Sequence, residues 1–184
     1  VLAIDRAVAA DKFVTVASEN QKASCDLTAS LLSPAIKHIA LITALPALTI
    51  SRERKAGFEQ AVASHSTACH LCEGAHFSRA EGYRLIKTLH QQLGQLPQAL
   101  VATSYILMEG VLDYLLEQET DMSRLAMATF GDDRLLDFLP FGINSLPQQH
   151  DALASQALEL ALKAIGGEYQ CGLHYVSRTL KRRR

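Results

Sequence analysis

A doubly wound, parallel α/β sheet is the fold class this sequence predicts, and three observations predict it. His38 to Thr43 is a continuous apolar run of strand length, as expected of a strand buried on both faces. Ala56, Phe58 and Val62 keep helical spacing after a short loop, so Lys37 to Phe58 reads as one βα unit. The unit then recurs, giving four successive βα repeats with short connectors, and right-handed crossovers wind such repeats into one sheet covered on both faces.

Taken in order, Val1 to Asp5 reads as a short buried strand ending in charge, and Phe13 to Val16 as a second extended run. From Asn20 to Leu32 the residues Ala23, Leu27 and Leu31 repeat at helical spacing, and Pro34 stops that helix. The central strand and its helix, about Arg52 to Ala63, follow, and Cys69 to Cys72 is a brief strand. Ser78 with Glu81 is a capping-box signal for a helix carried by Tyr83, Ile86, Leu89 and Leu93 to Gly94. Gln98 to Thr103 is the next strand; Ser104 is the N-cap of a helix marked by Leu107, Val111, Leu112 and Leu115. Leu125 to Phe130 is another buried strand, turned at its end by Gly131, Asp132 and Asp133. Beyond it the rhythm changes to a short helix at Arg134 to Leu139, an extended run Ile143 to Pro147, and a strongly apolar helix Asp151 to Ile165 ended by Gly166 and Gly167. Cys171 to Leu180 is a last strand leading into the basic end KRRR.

The 184 residues, 48% hydrophobic and with a formal net charge of −1, suit one sizeable globular core and exclude a disordered chain. No apolar stretch reaches the roughly 20 residues of a membrane span, and the opening lacks the basic-then-apolar signature of a secretory signal. Four cysteines at irregular distances, Cys25, Cys69, Cys72 and Cys171, suit buried thiols in a reducing compartment, so a cytoplasmic chain is expected.

The order of these elements, together with VLAIDR at Val1 to Arg6, RKAGF at Arg54 to Phe58, EGAHFS at Glu73 to Ser78, ALVATS at Ala99 to Ser104, LAMATFGDD at Leu125 to Asp133 and LPQQHDALASQAL at Leu146 to Leu158, resembles the effector domains of the lactose/galactose repressor family of bacterial transcription regulators. LPALTIS before Arg54, the run Ala128 to Leu139 and the basic ending are most similar to its fructose-repressor branch. The resemblance implies a bilobal, type I periplasmic-binding-protein-like fold with an effector between the lobes and a helix-turn-helix headpiece in front. It implies a complete second lobe and a first lobe only partly present. Residues 1–17 would be a fragment of the first lobe, 18–145 the second lobe, 146–170 a crossover and helix of the first, and 171–184 the final strand of the second with a basic tail.

A sugar phosphate presents hydroxyls and a dianion, so its pocket needs carboxylates, guanidinium forks and an aromatic face. The resemblance places Asp5, Arg54, Phe77, Ser104, Asp132 and Gln148 at effector-contacting positions, with Arg6 and Arg178 as the phosphate candidates. The implied effector is fructose 1-phosphate or fructose 1,6-bisphosphate, with no cofactor, no metal and no membrane partner. A homo-oligomer, dimer or tetramer, is expected, and operator DNA is reached only through the headpiece. Ser104 departs from the asparagine many relatives carry there.

Each assignment has a plainer competitor. Arg54 reads equally as a solvated helix-surface arginine, Phe77 as core filling, and Asp132 or Asp133 as the N-cap of the next helix. Arg178 sits beside Lys181 and Arg182 to Arg184, and a basic run is usually a solvated tail. HSTACHLCEGAH at His65 to His76 has C-x-x-C spacing, but a strand sends Cys69 and Cys72 to opposite faces and no second pair completes a zinc site. A stand-alone sugar-binding transport protein shares the fold, and a hydrolase using Asp132 and Asp133 is a third reading, weakened because adjacent residues seldom converge on one reacting atom.

Overall fold

The computed structural model describes residues 1–5 and 12–183. The chain divides into two compact units, Val1–Glu19 with Gln148–Thr179, and Asn20–Pro147 with Leu180–Arg184.

In the larger unit the helix α1 (Asn20–Ala29) precedes β3 (His38–Ala44), α2 (Thr49–Val62), β4 (Ala68–Gly74), α3 (Arg79–Leu93), β5 (Ala99–Ala102), α4 (Tyr105–Glu117), β6 (Ala126–Phe130) and β7 (Ile143–Leu146). The five strands form one parallel sheet in the order β4-β3-β5-β6-β7. Strand alternation sorts its side chains onto two helical layers. Ala40, Ile42, Leu100, Met127 and Ile143 face α3 and α4, whereas Ile39, Leu41, Val101, Ala128 and Phe130 face α1 and α2. Covering on both faces is why β3, β5 and β6 are almost wholly apolar. Each fully buried Ile or Leu contributes about 1.5–3 kcal/mol.

In the smaller unit β1 (Leu2–Ile4), β2 (Val14–Ser18) and β8 (Gly172–Val176) make a parallel sheet in the order β1-β2-β8, against which α5 (His150–Ile165) packs Leu153, Ala157 and Leu160.

Several expectations are corrected here. The segment Val1 to Asp5 is not a buried strand: Val1 is 82% exposed and Ile4 52%, because β1 is the edge of the small sheet. The strand expected to close the second lobe, β8, pairs instead with β2 in the smaller unit, so residues 171–179 leave the larger one. Only Leu180 onward returns to it. The helix α5 is amphipathic rather than apolar throughout, with Leu158, Leu162 and Ile165 exposed opposite its packed face. The helix α2 starts at Thr49, three residues earlier than its spacing suggests, because Ser51 Oγ donates to the Ala44 carbonyl and closes the turn.

Candidate functional site

All five strands of the larger sheet run parallel, so the segments leaving β3, β4, β5 and β6 emerge on one rim. These segments carry Arg54, Phe77, Ser104 and Asp132. The chain moves outward from β3 to β4, then returns to place β5 on the other side of β3, which makes the β3/β5 boundary the topological switch point where α/β sheets bind ligands.

Arg54 sits at that boundary. Its Nη1 donates to the Thr103 carbonyl at 2.6 Å, its Nε donates to Asn20 Oδ1 at 3.1 Å, and its guanidinium lies 4.1 Å from the ring centroid of Phe130. A residue held by β5, by α1 and by an aromatic at the end of β6 is not a solvated surface arginine. Asn20, itself buried, also donates to Glu53 Oε2 at 3.1 Å, so the fork is braced from the second side. Arg52, by contrast, turns back onto Thr49 and is exposed.

Asp132 follows Gly131, whose φ of +86° lies in the left-handed region; an added Cβ would come 3.0 Å from the Tyr105 Cβ. Past this turn the Asp132 carboxylate accepts from Ser145 Oγ at 2.7 Å and from Arg183 Nη2 at 2.7 Å. Burial works against its charged form, but the hydrogen bonds from Arg183 and Ser145 and the charges of Arg183 and Lys181 outweigh it and hold the carboxyl below its usual range. Its neighbour Asp133 is the cap: the Asp133 side chain accepts from the Leu135 amide at 2.8 Å and opens the short 3-10 turn Arg134–Phe138. Of the two adjacent aspartates that the sequence offered as N-cap, Asp133 is the one that caps.

Phe77 is half-buried and packs against the α3/α4 core. Beside it Ser78 caps α3, accepting from the Glu81 amide at 3.2 Å, but the reciprocal arm of the expected capping box goes elsewhere. Glu81 accepts from the Ala75 amide at 2.6 Å, tying down the loop that carries Phe77. Ser104 Oγ caps α4 by accepting from the Leu107 amide at 3.4 Å.

Asp5, Gln148 and Arg178 belong to the smaller unit. Each leaves a strand or enters a helix at one edge of its sheet: Gln148 Nε2 donates to Ser18 Oγ at 3.2 Å and lies 3.4 Å from Asp5 Oδ1. Asp5 is held at φ +63°, a conformation that aspartate tolerates better than most residues. Burial pulls the Arg178 guanidinium below its ordinary value and the Asp5 charge opposes that shift, so Arg178 is a half-buried partner of Asp5 rather than part of a solvated run. Arg6 lies outside the described residues.

Sequence reasoning missed Asn20, Thr103 and Phe130 around Arg54, and Ser145, Lys181 and Arg183 around Asp132. The basic tail is a correction: Lys181 bridges Ser145 through two backbone hydrogen bonds, and the Arg183 side chain is only 9% exposed. A signal for it was present in the polar pair Asn144 and Ser145 inside a strand that is otherwise buried and apolar.

The chain belongs to the family of periplasmic binding protein-like domains, whose model matches residues 28–184, in the form that lactose/galactose-type repressors use as effector domains. Within that class it is similar to the fructose regulators. It is 47% identical over 181 residues to the fructose operon regulatory protein of Vibrio cholerae, an alignment covering 98% of this chain and 55% of the relative. It is 31% identical over 186 residues to the catabolite repressor/activator of Escherichia coli K12, covering 100% of this chain and 55% of the relative. The crystal structure of the Cra transcriptional dual regulator from Pseudomonas putida in complex with fructose 1-phosphate superposes with a TM-score of 0.91 at 46% identity, covering 100% of this chain and 68% of that one. The chain thus spans about half the length of the curated relatives it matches. These relatives are transcription regulators rather than enzymes. Among the described residues no helix is long and apolar enough to cross a membrane.

Proposed function

We propose that this chain is the effector-sensing part of a transcription regulator of carbon metabolism and that its ligand is fructose 1-phosphate or a closely related sugar phosphate. The observation that carries the reading is the likeness to the Pseudomonas putida regulator solved with fructose 1-phosphate. Arg54 donates a fork to the ligand, Asp132 accepts from sugar hydroxyls, and Phe77 covers the ring, with Ser104 contributing its hydroxyl. Asp5 and Gln148 supply further polar contacts, and Arg6 and Arg178 take the phosphate. Operator contact belongs to a helix-turn-helix headpiece outside these residues, and the regulator works as a dimer or tetramer. Effector binding shifts the balance between states of the regulator that hold DNA differently, by as much as its affinities for those states differ.

Titration calorimetry with fructose 1-phosphate on the full-length gene product tests this. Binding that Arg54→Ala abolishes, while the variant keeps its cooperative unfolding, is the expected result; an unaltered affinity removes Arg54 from the site. The 184-residue chain by itself binds weakly or not at all, because it spans only part of the length of its relatives.

A further inference from the structure

Strand β7 is fully buried, yet it carries Asn144 at 1% and Ser145 at 0% exposure. Polar atoms at such depth need partners. Asn144 Nδ2 donates to Ser30 Oγ at 2.9 Å and Ser145 Oγ to Asp132 Oδ1 at 2.7 Å, and residues 180–183 bring further partners: the Ser145 amide donates to the Lys181 carbonyl at 3.0 Å, the Lys181 amide donates back at 2.8 Å, and the Arg183 amide donates to Asn144 Oδ1 at 2.8 Å. This pairing delivers the Arg183 guanidinium to the rim, where every nitrogen is used. Nη1 donates to the Ile143 carbonyl at 3.1 Å and to Ser145 Oγ at 2.7 Å, Nη2 to Asp132 Oδ1 at 2.7 Å, and Nε to Asp137 Oδ1 at 2.8 Å.

Two consequences follow for Asp132. Its Oδ1 is taken twice, by Arg183 and by Ser145, while its Oδ2 faces the Lys181 ammonium at 3.6 Å, beyond hydrogen-bonding distance. The charges also cancel, since Asp132 and Asp137 stand against Lys181, which is 2.8 Å from Asp137, and Arg183. An isolated carboxylate at the mouth of a site for a dianion would repel its ligand; a neutralised one does not.

We propose that Arg183 is a positioning residue of the effector site, one that touches no ligand but locks the Asp132 carboxylate with Oδ2 presented to a sugar hydroxyl and cancels its charge against an incoming phosphate. The role rests on the reading of this chain as a sugar-phosphate sensor. Arg183 acts on the ligand through Asp132, because each of its nitrogens already donates to the protein and its side chain is only 9% exposed. A lysine there keeps the charge and loses the fork.

The test uses the full-length gene product with Arg183→Gln and Arg183→Lys. Calorimetry with fructose 1-phosphate at pH 7 is paired with carboxyl NMR titration of Asp132 and with unfolding midpoints. In Arg183→Gln the affinity is expected to fall by about tenfold or more, with the Asp132 titration moving up toward the ordinary carboxylate range. Arg183→Lys restores part of both. If Arg183→Gln leaves affinity and titration unchanged, or loses affinity with the Asp132 titration unmoved, the role is overturned and Arg183 is structural only. If the unaltered protein binds no fructose 1-phosphate, the sugar-phosphate reading fails by itself. The NMR titration then still decides whether Arg183 governs Asp132.

Discussion

One guanidinium at Arg54 satisfies an amide oxygen, a backbone carbonyl and an aromatic face, drawn from Asn20, Thr103 and Phe130. Lysine has neither the planar fork nor the stacking face. Arg54→Lys is therefore expected to lose fructose 1-phosphate affinity almost as fully as Arg54→Ala, as titration of the two side by side will show. The placement of Arg54 after a buried strand was legible in the sequence. Its three partners were not, because they come from distant segments and a one-dimensional pattern carries no distances. Glu81 makes a pH prediction at the same scale. Hydrogen bonding from Arg84 is the largest influence on its carboxyl and, with the Ala75 amide, pulls it from 4.5 down to about 2. A folded-state value lowered in this way adds stability that is complete above the unfolded value and is lost as pH falls through the folded one. Urea unfolding of the protein beside Glu81→Gln is expected to show a stability gap at pH 7 that narrows by pH 3. A gap of constant size would mean that the Glu81 charge contributes nothing.

The helices show how far element-level patterns go. Ser78 and Gly94 bracket α3 as the capping signals indicate, with Gly94 at φ +67°, and the periodic positions Ile86 and Leu89 are buried. What periodicity could not show is how closely the helices touch. A Cβ on Gly110 would stand 1.9 Å from the Arg79 carbonyl oxygen, and one on Gly82 would stand 2.1 Å from that of Leu107, so α3 and α4 meet backbone to backbone. Gly110→Ala is expected to destabilise the fold by about 2–3 kcal/mol, read from a urea midpoint, because backbone on the facing helix cannot rotate aside. Glycine has low helix propensity, and the packing reason for Gly82 and Gly110 is visible only with the partner helix in place. Strand β8 was misplaced for a related reason. Its partner β2 lies near the start of the chain, and hydrophobic patterning does not say which of two sheets a short strand will join.

Across the whole molecule the two units are unequally built. Among the described residues the larger has a five-stranded sheet with helices on both faces, whereas the smaller has three strands and one packed helix whose Leu158, Leu162 and Ile165 stay exposed. Local stability follows buried apolar contact, so amide hydrogen exchange is expected to be markedly faster in β1, β2 and β8 than in β3, β5 and β6. Equal protection in the two sheets would contradict that ordering. The fold class was legible because four βα repeats state it redundantly. The discontinuity of the units was not, since nothing local marks where the chain passes from one to the other. Each unit is assembled from two stretches, and the larger recovers Leu180 to Arg183 only after the chain has completed α5 and β8. On the ribosome, Asn20–Pro147 therefore waits, the Ser145 amide and Asn144 Oδ1 still to meet Lys181 and Arg183, until some thirty later residues have emerged. Any nascent-chain stall or clipping within that interval would leave a nearly finished sheet with an open polar seam, a handle that quality-control proteases can grip.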